Sequence, residues 1–257
     1  MRQKMAIVVM GVILGLGLWG SPASATMRLR IEDVTGGIGA VITDNGVGDL
    51  NPIVGALTFS GSVGFSLINV TTGISKPLIG GIIDLGQLDL NSVNVTISGP
   101  GTLRLTLEDD GYTASPLTTI HVLGLVGGTL TAPGGSQITV QSWANGDNLV
   151  PVLGPDQAVG PIGAIGAIPV GSVAAWSPAF QSGPGAYSST SFATFNNGAV
   201  DTFSLFAQVS IAFTGAGSVS FDENQSAVPE PASVLLLGTG LIGLGLLSRR
   251  KRHNAQT

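Results

Sequence analysis

The chain contains no cysteine and only two histidines in 257 residues. Without cysteine, disulfide scaffolds, thiolate nucleophiles and cysteine-ligated metals are excluded. His253 lies in a basic tail, so a histidine-based metal cluster or proton relay would depend on His121 alone. Charged residues make up only 10% of the chain, whereas about 25% is typical of a soluble domain. The formal charge of −5 argues against nucleic-acid binding.

Glycine and proline are abundant instead, with 39 and 14 residues respectively. Each glycine inside a helix costs about 1 kcal/mol relative to alanine, so a mainly helical body is excluded. Apolar and polar residues alternate with a period of two in several segments, which is typical of half-buried strands. Glycine, proline and Asn/Asp turns, among them Asp109–Gly111, separate these segments and favour hairpins. The pattern predicts an all-β fold, an antiparallel β-sandwich, with strands across residues 93–97, 103–107, 138–140 and 209–213.

The first 25 residues have the three parts of a secretory signal peptide. Arg2 and Lys4 form a positive start, and residues 6–19 are an uninterrupted stretch of 14 apolar and glycine residues. Ala23 and Ala25 are small residues of the kind that signal peptidase accepts. The stretch is short for a permanent anchor, since a membrane span needs about 20 residues. We therefore expect a signal helix here, cleavage after Ala25, and a mature body outside the cytoplasm.

The C-terminus carries a second membrane signal. A proline-glutamate-proline motif precedes 16 uncharged residues, 232–247, and a cluster of four cations. The apolar piece is near the lower limit for a membrane span, and the cations favour the cytoplasmic side. The sequence thus predicts a short transmembrane helix and a cytoplasmic tail, residues 253–257. The motif residues are Pro229, Glu230 and Pro231, and the stop-transfer cations are Arg249, Arg250, Lys251 and Arg252.

This tripartite tail, residues 229–252, resembles the PEP-CTERM sorting signal of Gram-negative bacteria. The resemblance rests on Pro-Glu-Pro, a hydrophobic segment and an Arg-rich end, all at the terminus. It implies recognition by exosortase, a membrane-embedded cysteine transpeptidase-like enzyme, and processing near Pro-Glu-Pro. The protein would be anchored transiently in the inner membrane and then passed to the cell surface or an exopolysaccharide matrix. The alternative is a linker before an ordinary tail anchor.

The body between the two signals, residues 26–228, is sparsely charged and acidic. It contains fourteen acids and only four cations, which is a net charge of −10. Such a body could bind divalent cations by charge, but not anionic polymers. Residues 151–185 differ from the rest because they contain six prolines. A segment that contains proline is more often an edge strand or a loop than a central strand. We expect this segment to be an excursion on the sandwich, or a seam between its two halves.

One loop of the body clusters oxygen-bearing side chains with two glycines. Calcium prefers such hard oxygen ligands on a sharply turning loop, so the loop is a calcium candidate. Its spacing does not match the EF-hand pattern, and a solvated turn with Asx hydrogen bonds is the alternative. No other cofactor is expected. The four candidate ligands are Asp44, Asn45, Asp49 and Asn51.

Three further features of the body bear on chemistry. Glu108, Asp109 and Asp110 end a predicted strand, and we expect an acidic hairpin tip there; the alternative is glycoside hydrolysis by paired carboxylates. His121 alternates with apolar neighbours, which places it on the polar side of a strand, at a surface or an interface. Exposed aromatic side chains could stack on sugars, or they could pack in the core. The aromatic candidates are Tyr112, Trp143, Trp176 and Tyr187.

Together these features predict an exported, non-enzymatic surface or extracellular-matrix protein associated with exopolysaccharide. The expected partners are signal peptidase, exosortase and, before processing, the inner membrane. Exopolysaccharide is a further candidate partner, and no nucleic acid is expected. Two alternatives stay open: a secreted module that binds polysaccharide or calcium, and an envelope hydrolase.

Overall fold

A computed structural model describes residues 27–76, 85–113, 115, 119–154, 157–174, 179–196 and 201–229. In these residues the regular structure consists of β-strands, which form two antiparallel sheets. This confirms the predicted all-β class and is consistent with the predicted sandwich. The predicted signal helix and transmembrane helix lie outside the described residues. Within the described ranges, no helix has the length and apolarity needed to cross a bilayer.

Sheet A contains eight of the described strands. These are β1 (Arg28–Asp33), β2 (Ile38–Thr43), β6 (Gly101–Thr113), β8 (Gln137–Asn145), β9 (Gln157–Pro161), β10 (Ser172–Ala174), β11 (Ala179–Ser182) and β13 (Thr202–Phe213). Hydrogen-bonded neighbours follow the order β10-β8-β13-β6-β1-β2-β9, and β11 also pairs with β8.

Sheet B contains the other six. These are β3 (Ala56–Val63), β4 (Ser66–Ile74), β5 (Gly86–Ile97), β7 (Thr119–Thr131), β12 (Gly185–Asn196) and β14 (Gly217–Pro229). Their order is β12-β7-β14-β5-β4-β3, so β12 and β3 are the edge strands.

Eight of these strands form two layers of four. Sheet A presents the order β8-β13-β6-β1, and sheet B presents the order β7-β14-β5-β4. The chain changes sheet between β2 and β3, β5 and β6, β6 and β7, β7 and β8, β11 and β12, β12 and β13, and β13 and β14. Because β14 lies between β7 and β5, it is an interior strand of sheet B, and the last described residue, Pro229, is at its end.

The core lies between the two sheets. Leu103, Leu105 and Leu107 of β6 are fully buried there, while the alternate residues of β6 lie on the outer side of sheet A. Val93 and Val95 of β5 fill the same space from sheet B. Burial of one such side chain contributes about 1.5–3 kcal/mol, which explains why a body without disulfides can be stable. The alternation predicted for these strands is confirmed.

The turn predicted at Asp109–Gly111 is wrong, because β6 continues through it. The register against β13 shifts between Phe203 and Leu205, so β6 has one extra residue there, a β-bulge. Gly111 has a positive φ of 69°, which glycine adopts without strain, and its N–H donates to Oδ1 of Asn148 at 2.6 Å. The glycine that is typical of a turn therefore marks a bulge inside a long strand.

The proline-rich segment 151–185 runs over sheet A. Its β9 pairs with β2 at one edge of the sheet, and β10 and β11 pair with β8 at the opposite edge. Between these edges, Arg30 donates from Nη1 to the carbonyl oxygen of Leu153 at 2.8 Å and from Nη2 to that of Gly163. Arg28 donates to the carbonyl oxygen of Gly154. The segment thereby buries Arg30 on the outer face of β1.

Replacing Arg30 by alanine is expected to release this segment and to lower the free energy of unfolding by about 3 kcal/mol, as for a broken buried ion pair. Glu32 would lose its partner at 2.5 Å, and the carbonyls of Leu153 and Gly163 would lose their donor. Urea unfolding measures the loss of stability, and limited proteolysis should cut within 151–165. Arg104→Ala is the matched control, because Arg104 pairs with the same Glu32 but is 26% exposed. Equal cleavage of the two variants would contradict the prediction.

Candidate functional site

All four cations of the body are held in ion pairs. The carboxylates that accept them are buried, with at most 8% of each side chain exposed. On the described surface no cation stands apart from a carboxylate, so the unpaired exposed charge is acidic. The pairs are Arg28–Glu108 (3.6 Å), Arg30–Glu32 (2.5 Å), Lys76–Asp109 (2.9 Å) and Arg104–Glu32 (3.5 Å).

Glu108 is a buried carboxyl group on the outer face of sheet A whose pKa is shifted strongly upward. It is 1% exposed, and Nη1 of Arg28 lies 3.6 Å from its Oε1, beyond hydrogen-bond distance. Burial raises the pKa of Glu108 to about 8, and the charges of Asp110 and Asp109 add to the rise, while Arg28 opposes it. Glu108 is therefore harder to ionise in the folded protein than in the unfolded chain.

Asp109 faces the opposite side of the strand, where a buried polar cluster joins the two sheets. Its Oδ2 accepts hydrogen bonds from Nζ of Lys76 at 2.9 Å and from Oγ of Ser75. Oη of Tyr112 lies 2.6 Å from Oγ of Ser75 and donates to the carbonyl oxygen of Gln87 at 2.8 Å. Burial raises the pKa of Asp109, and Lys76 opposes that rise. These contacts tie β6 of sheet A to β5 and the end of β4 in sheet B.

The acidic hairpin tip predicted at Glu108–Asp110 is wrong, because these residues lie inside β6. Glu108 and Asp109 are adjacent in a strand, so their side chains point to opposite faces of sheet A. Two carboxyl groups that cleave a glycosidic bond must flank the same substrate, and this geometry keeps these two apart. Arg28 on one face and Lys76 on the other make their burial tolerable.

Glu108 is expected to make the protein less stable as the pH rises from about 5 to about 8. Its pKa is higher in the folded state than its ordinary value of 4.5, so folding retains a proton that the unfolded chain releases. Its stabilising effect is complete below the unfolded pKa and is lost as the pH approaches 8, by about 1.4 kcal/mol for each pH unit between the unfolded and folded pKa values. Glu108→Gln removes this titration, and urea unfolding at pH 5 and pH 8 should show a smaller loss.

The control for this experiment is Asp201→Asn, which changes an exposed carboxyl group. That variant should keep the pH dependence of the parent protein. If Glu108→Gln and the parent lose the same free energy of unfolding between pH 5 and pH 8, Glu108 is not the group responsible.

Glu223 of β14 is buried between the sheets, and neither of its carboxyl oxygens has a hydrogen-bond partner among the described residues. Burial raises its pKa well above the usual range, and the charge of Asp89 adds to the rise. Gln225, two residues further along β14, is also buried, and its Nε2 donates to the carbonyl oxygen of Trp143 in sheet A at 2.9 Å. The sequence reasoning missed this pair, although Glu223 and Gln225 lie two and four residues after Phe221 and therefore point to the same, inner face of β14.

The four calcium candidates lie together in the loop that follows β2. The side-chain oxygens of Asp44, Asp49 and Asn51 accept backbone N–H groups of this loop and of Thr58 in β3, which is the geometry of the Asx-turn alternative, and the Asn45 side chain donates to Oδ1 of Asp44 at 3.1 Å. In the part of the chain that the structure describes, no group of three or more histidine, aspartate or glutamate side chains is arranged to hold a metal. The calcium site stays a prediction. The bonds are Gly55 N–H to Asp44 (2.7 Å), Asn45, Asn51 and Thr58 N–H to Asp49 (2.9 Å each), and Ile53 N–H to Asn51 (3.1 Å).

The aromatic candidates for sugar stacking are mostly in packed environments. Tyr112 is fully buried and cannot reach a ligand at the surface. Trp143 is half-buried and stacks on Phe206 with 5.3 Å between ring centres. Tyr187 is half-buried and packs against the core. Trp176 lies outside the described residues.

Phe192 is an exposed aromatic residue that the sequence reasoning missed. It is 64% exposed on the outer face of sheet B, and its ring stacks on His121 with 5.2 Å between ring centres. His121 lies on the outer face of β7, the side that its alternation predicts. The sequence contained a pattern that could have identified it. Phe192 alternates in step with Ser188, Thr190 and Thr194 of β12, and these polar side chains face solvent.

The sorting motif begins at the last described residue. The backbone of Pro229 pairs with Ile120 of β7, whereas the pairing of β14 with β5 ends, among the described residues, at Ala227 opposite Gly86. The sheet therefore extends to the motif itself. The other predicted sorting and processing residues lie outside the described ranges: Glu230, Pro231, Arg249, Arg250, Lys251, Arg252, Ala23 and Ala25.

A family model described as the PEP-CTERM protein-sorting motif matches residues 227–252. The chain thus contains this motif, and the predicted resemblance of the tail is confirmed. A search of the curated proteins finds no match.

Several solved structures show weak similarity to the chain. TmCBM61 in complex with beta-1,4-galactotriose is 11% identical over 66% of this chain and 92% of its own, with a TM-score of 0.27. The adhesin domain of Epf from Streptococcus pyogenes is 8% identical over 80% and 62%, with a TM-score of 0.31. The N-terminal cellulose-binding domain of Cellulomonas fimi beta-1,4-glucanase C is 9% identical over 67% and 99%, with a TM-score of 0.24. Similarity at this level establishes no shared activity.

Proposed function

We propose that the protein is an exported, non-enzymatic surface or extracellular-matrix protein, sorted and processed by exosortase through its C-terminal tail. The observation that carries the proposal is the PEP-CTERM motif at residues 227–252. A signal-peptide pattern at the N-terminus supplies the export that such a tail requires. The tail would hold the body at the inner membrane until processing, and the body would then reach the surface or the exopolysaccharide matrix of a Gram-negative bacterium.

The construction of the body supports a scaffolding role. The described cations serve in ion pairs within the body, which leaves an acidic, sparsely charged surface suited to a solvated matrix. The hydrolase alternative has weaker support, because Glu108 and Asp109 lie on opposite faces of sheet A and both are buried.

Deleting Pro229, Glu230 and Pro231 is expected to leave the protein in the inner membrane, because the processing enzyme loses its recognition motif. Cell fractionation with immunoblotting measures the fraction that reaches the surface or the medium. Replacing the same three residues by Ala-Gln-Ala keeps the chain length and should have the same effect. Leu67→Ser, an exposed position of the body, is the control and should be sorted normally. Normal surface delivery of the deletion variant would refute sorting by this motif.

A second candidate function is binding of polysaccharide by the outer face of sheet B. The observation that favours it is the exposed ring of Phe192, which has Thr190, Asn224 and Ser226 on the same face. A ring that stacks and side chains that hydrogen-bond hydroxyl groups are what a sugar site requires. Calcium binding at the loop with Asp44 and Asp49 is the other binding alternative.

Calorimetric titration of the protein with the host's exopolysaccharide, and separately with Ca²⁺, tests these alternatives. A polysaccharide site should give heat that Phe192→Ser abolishes and that Leu67→Ser, on the same face of sheet B, retains. A calcium site should give heat that Asp49→Asn abolishes, because the change removes the carboxylate charge. Flat heats in both titrations would contradict the binding alternatives and would leave the sorting proposal standing.

A further inference from the structure

An apolar patch lies on the outer face of sheet B, near the end of β14. Four large apolar side chains are exposed there, and we call them the strand-end patch. An isolated exposed apolar residue is ordinary, but a contiguous group of them marks an interaction surface. The patch consists of Leu123 (40% exposed), Leu125 (42%), Phe192 (64%) and Val228 (39%).

The strand register makes this patch continuous across three strands. Phe192 of β12 lies opposite Leu123 of β7, and Leu123 lies opposite Ser226 of β14. Val228 follows two residues later on β14 and pairs with His121. The ring of His121 stacks on Phe192 and fills the space between Phe192 and the end of the strand. The patch therefore covers the corner of the sheet from which the chain leaves.

The chain that leaves this corner has very little length before its apolar segment. Two residues separate Pro229 from the segment 232–247. Three residue steps reach at most about 11 Å when fully extended. The headgroup layer on each side of a bilayer is about 5 to 8 Å thick. Whenever 232–247 spans the membrane, the end of β14 must therefore lie at the lipid headgroups.

We propose that the strand-end patch is a membrane-contact surface. While the tail is uncleaved, the outer face of sheet B contacts the bilayer surface beside the anchor, and the side chains of Phe192 and Leu123 enter the headgroup region. The inference rests on the proposed function, because it requires the tail to act as the anchor. It adds that the folded body has a defined orientation on the membrane and presents the sorting motif at a constant depth.

Charge does not supply this contact. The body cations are already paired with carboxylates, so the described surface offers no free cation to anionic headgroups. Of the residues directly opposite members of the patch, Thr190, Ser226 and Asn224 are uncharged, and His121, opposite Val228, is the titratable one; its ring stacks on Phe192. The contact must come from the short tether and the apolar side chains, and it should be insensitive to the fraction of anionic lipid.

The absence of cysteine allows a direct test with single-cysteine labels. Two variants of the full chain, Thr194→Cys and Thr131→Cys, are each labelled with an environment-sensitive fluorophore. They are reconstituted into vesicles of phosphatidylethanolamine and phosphatidylglycerol. The vesicles also contain a lipid with a spin label near the headgroup, which quenches a fluorophore that lies at that depth. Both threonines are exposed on the outer face of sheet B, and ten residues of β7 separate their rows, a distance of about 33 Å. The label at Thr194 should be quenched several-fold more strongly than the label at Thr131. Phe192→Ser combined with Leu123→Ser should reduce this difference, whereas Leu67→Ser should not.

Alkaline extraction of the vesicles separates failure of this inference from failure of the proposed function. A chain that resists extraction but shows equal quenching of both labels would overturn the membrane contact and leave the anchor intact. A chain that is extracted would overturn both. Retention of the full difference in Phe192→Ser/Leu123→Ser would also overturn the role of the patch. The label at Thr194 could also be protected in a way that depends on the number of protein molecules per vesicle and not on the amount of spin-labelled lipid. That result would mean that the patch contacts a second copy of the chain, and it would overturn the proposal.

Discussion

The rest of the body depends on the pairing of its four cations with buried carboxylates. Arg28 and Arg30 hold the proline-rich segment against sheet A through the carbonyls of Gly154, Leu153 and Gly163. On the other side of that sheet, a lysine and an aspartate tie the two sheets together. Removing one partner of a buried pair leaves an uncompensated charge and costs about 3–5 kcal/mol. Each of these cations is thus committed to the architecture, and the surface is acidic as a consequence.

The position of β14 in sheet B determines how the body connects to the sorting motif. Because β14 is an interior strand, the sheet holds the chain until Val228 and Pro229, which retain β7 as a neighbour after the described pairing with β5 has ended. The first residue of the Pro-Glu-Pro motif is therefore still part of the sheet.

Local patterns predicted much of the fold, because strand alternation is a property of adjacent residues. The leucines of β6 at 103, 105 and 107 and the valines of β5 at 93 and 95 face the core as their period of two indicates. The turn at Asp109–Gly111 was wrong because a glycine with positive φ serves a turn and a bulge equally well. Only the pairing of β6 with β13 distinguishes the two, and that pairing joins residues about a hundred positions apart.

The sequence by itself determined the sorting motif. The PEP-CTERM motif at residues 227–252 is a linear pattern, so it can be recognised without knowledge of the fold, and the signal peptide predicted at residues 1–25 is a pattern of the same linear kind. The tertiary structure decided which body residues are buried and which are presented. Glu108, expected at an acidic hairpin tip, is buried instead, and Phe192 stacks on His121 of the adjacent strand β7. The period of two indicates on which face of a strand a residue lies, but which strands become neighbours depends on contacts between distant parts of the chain.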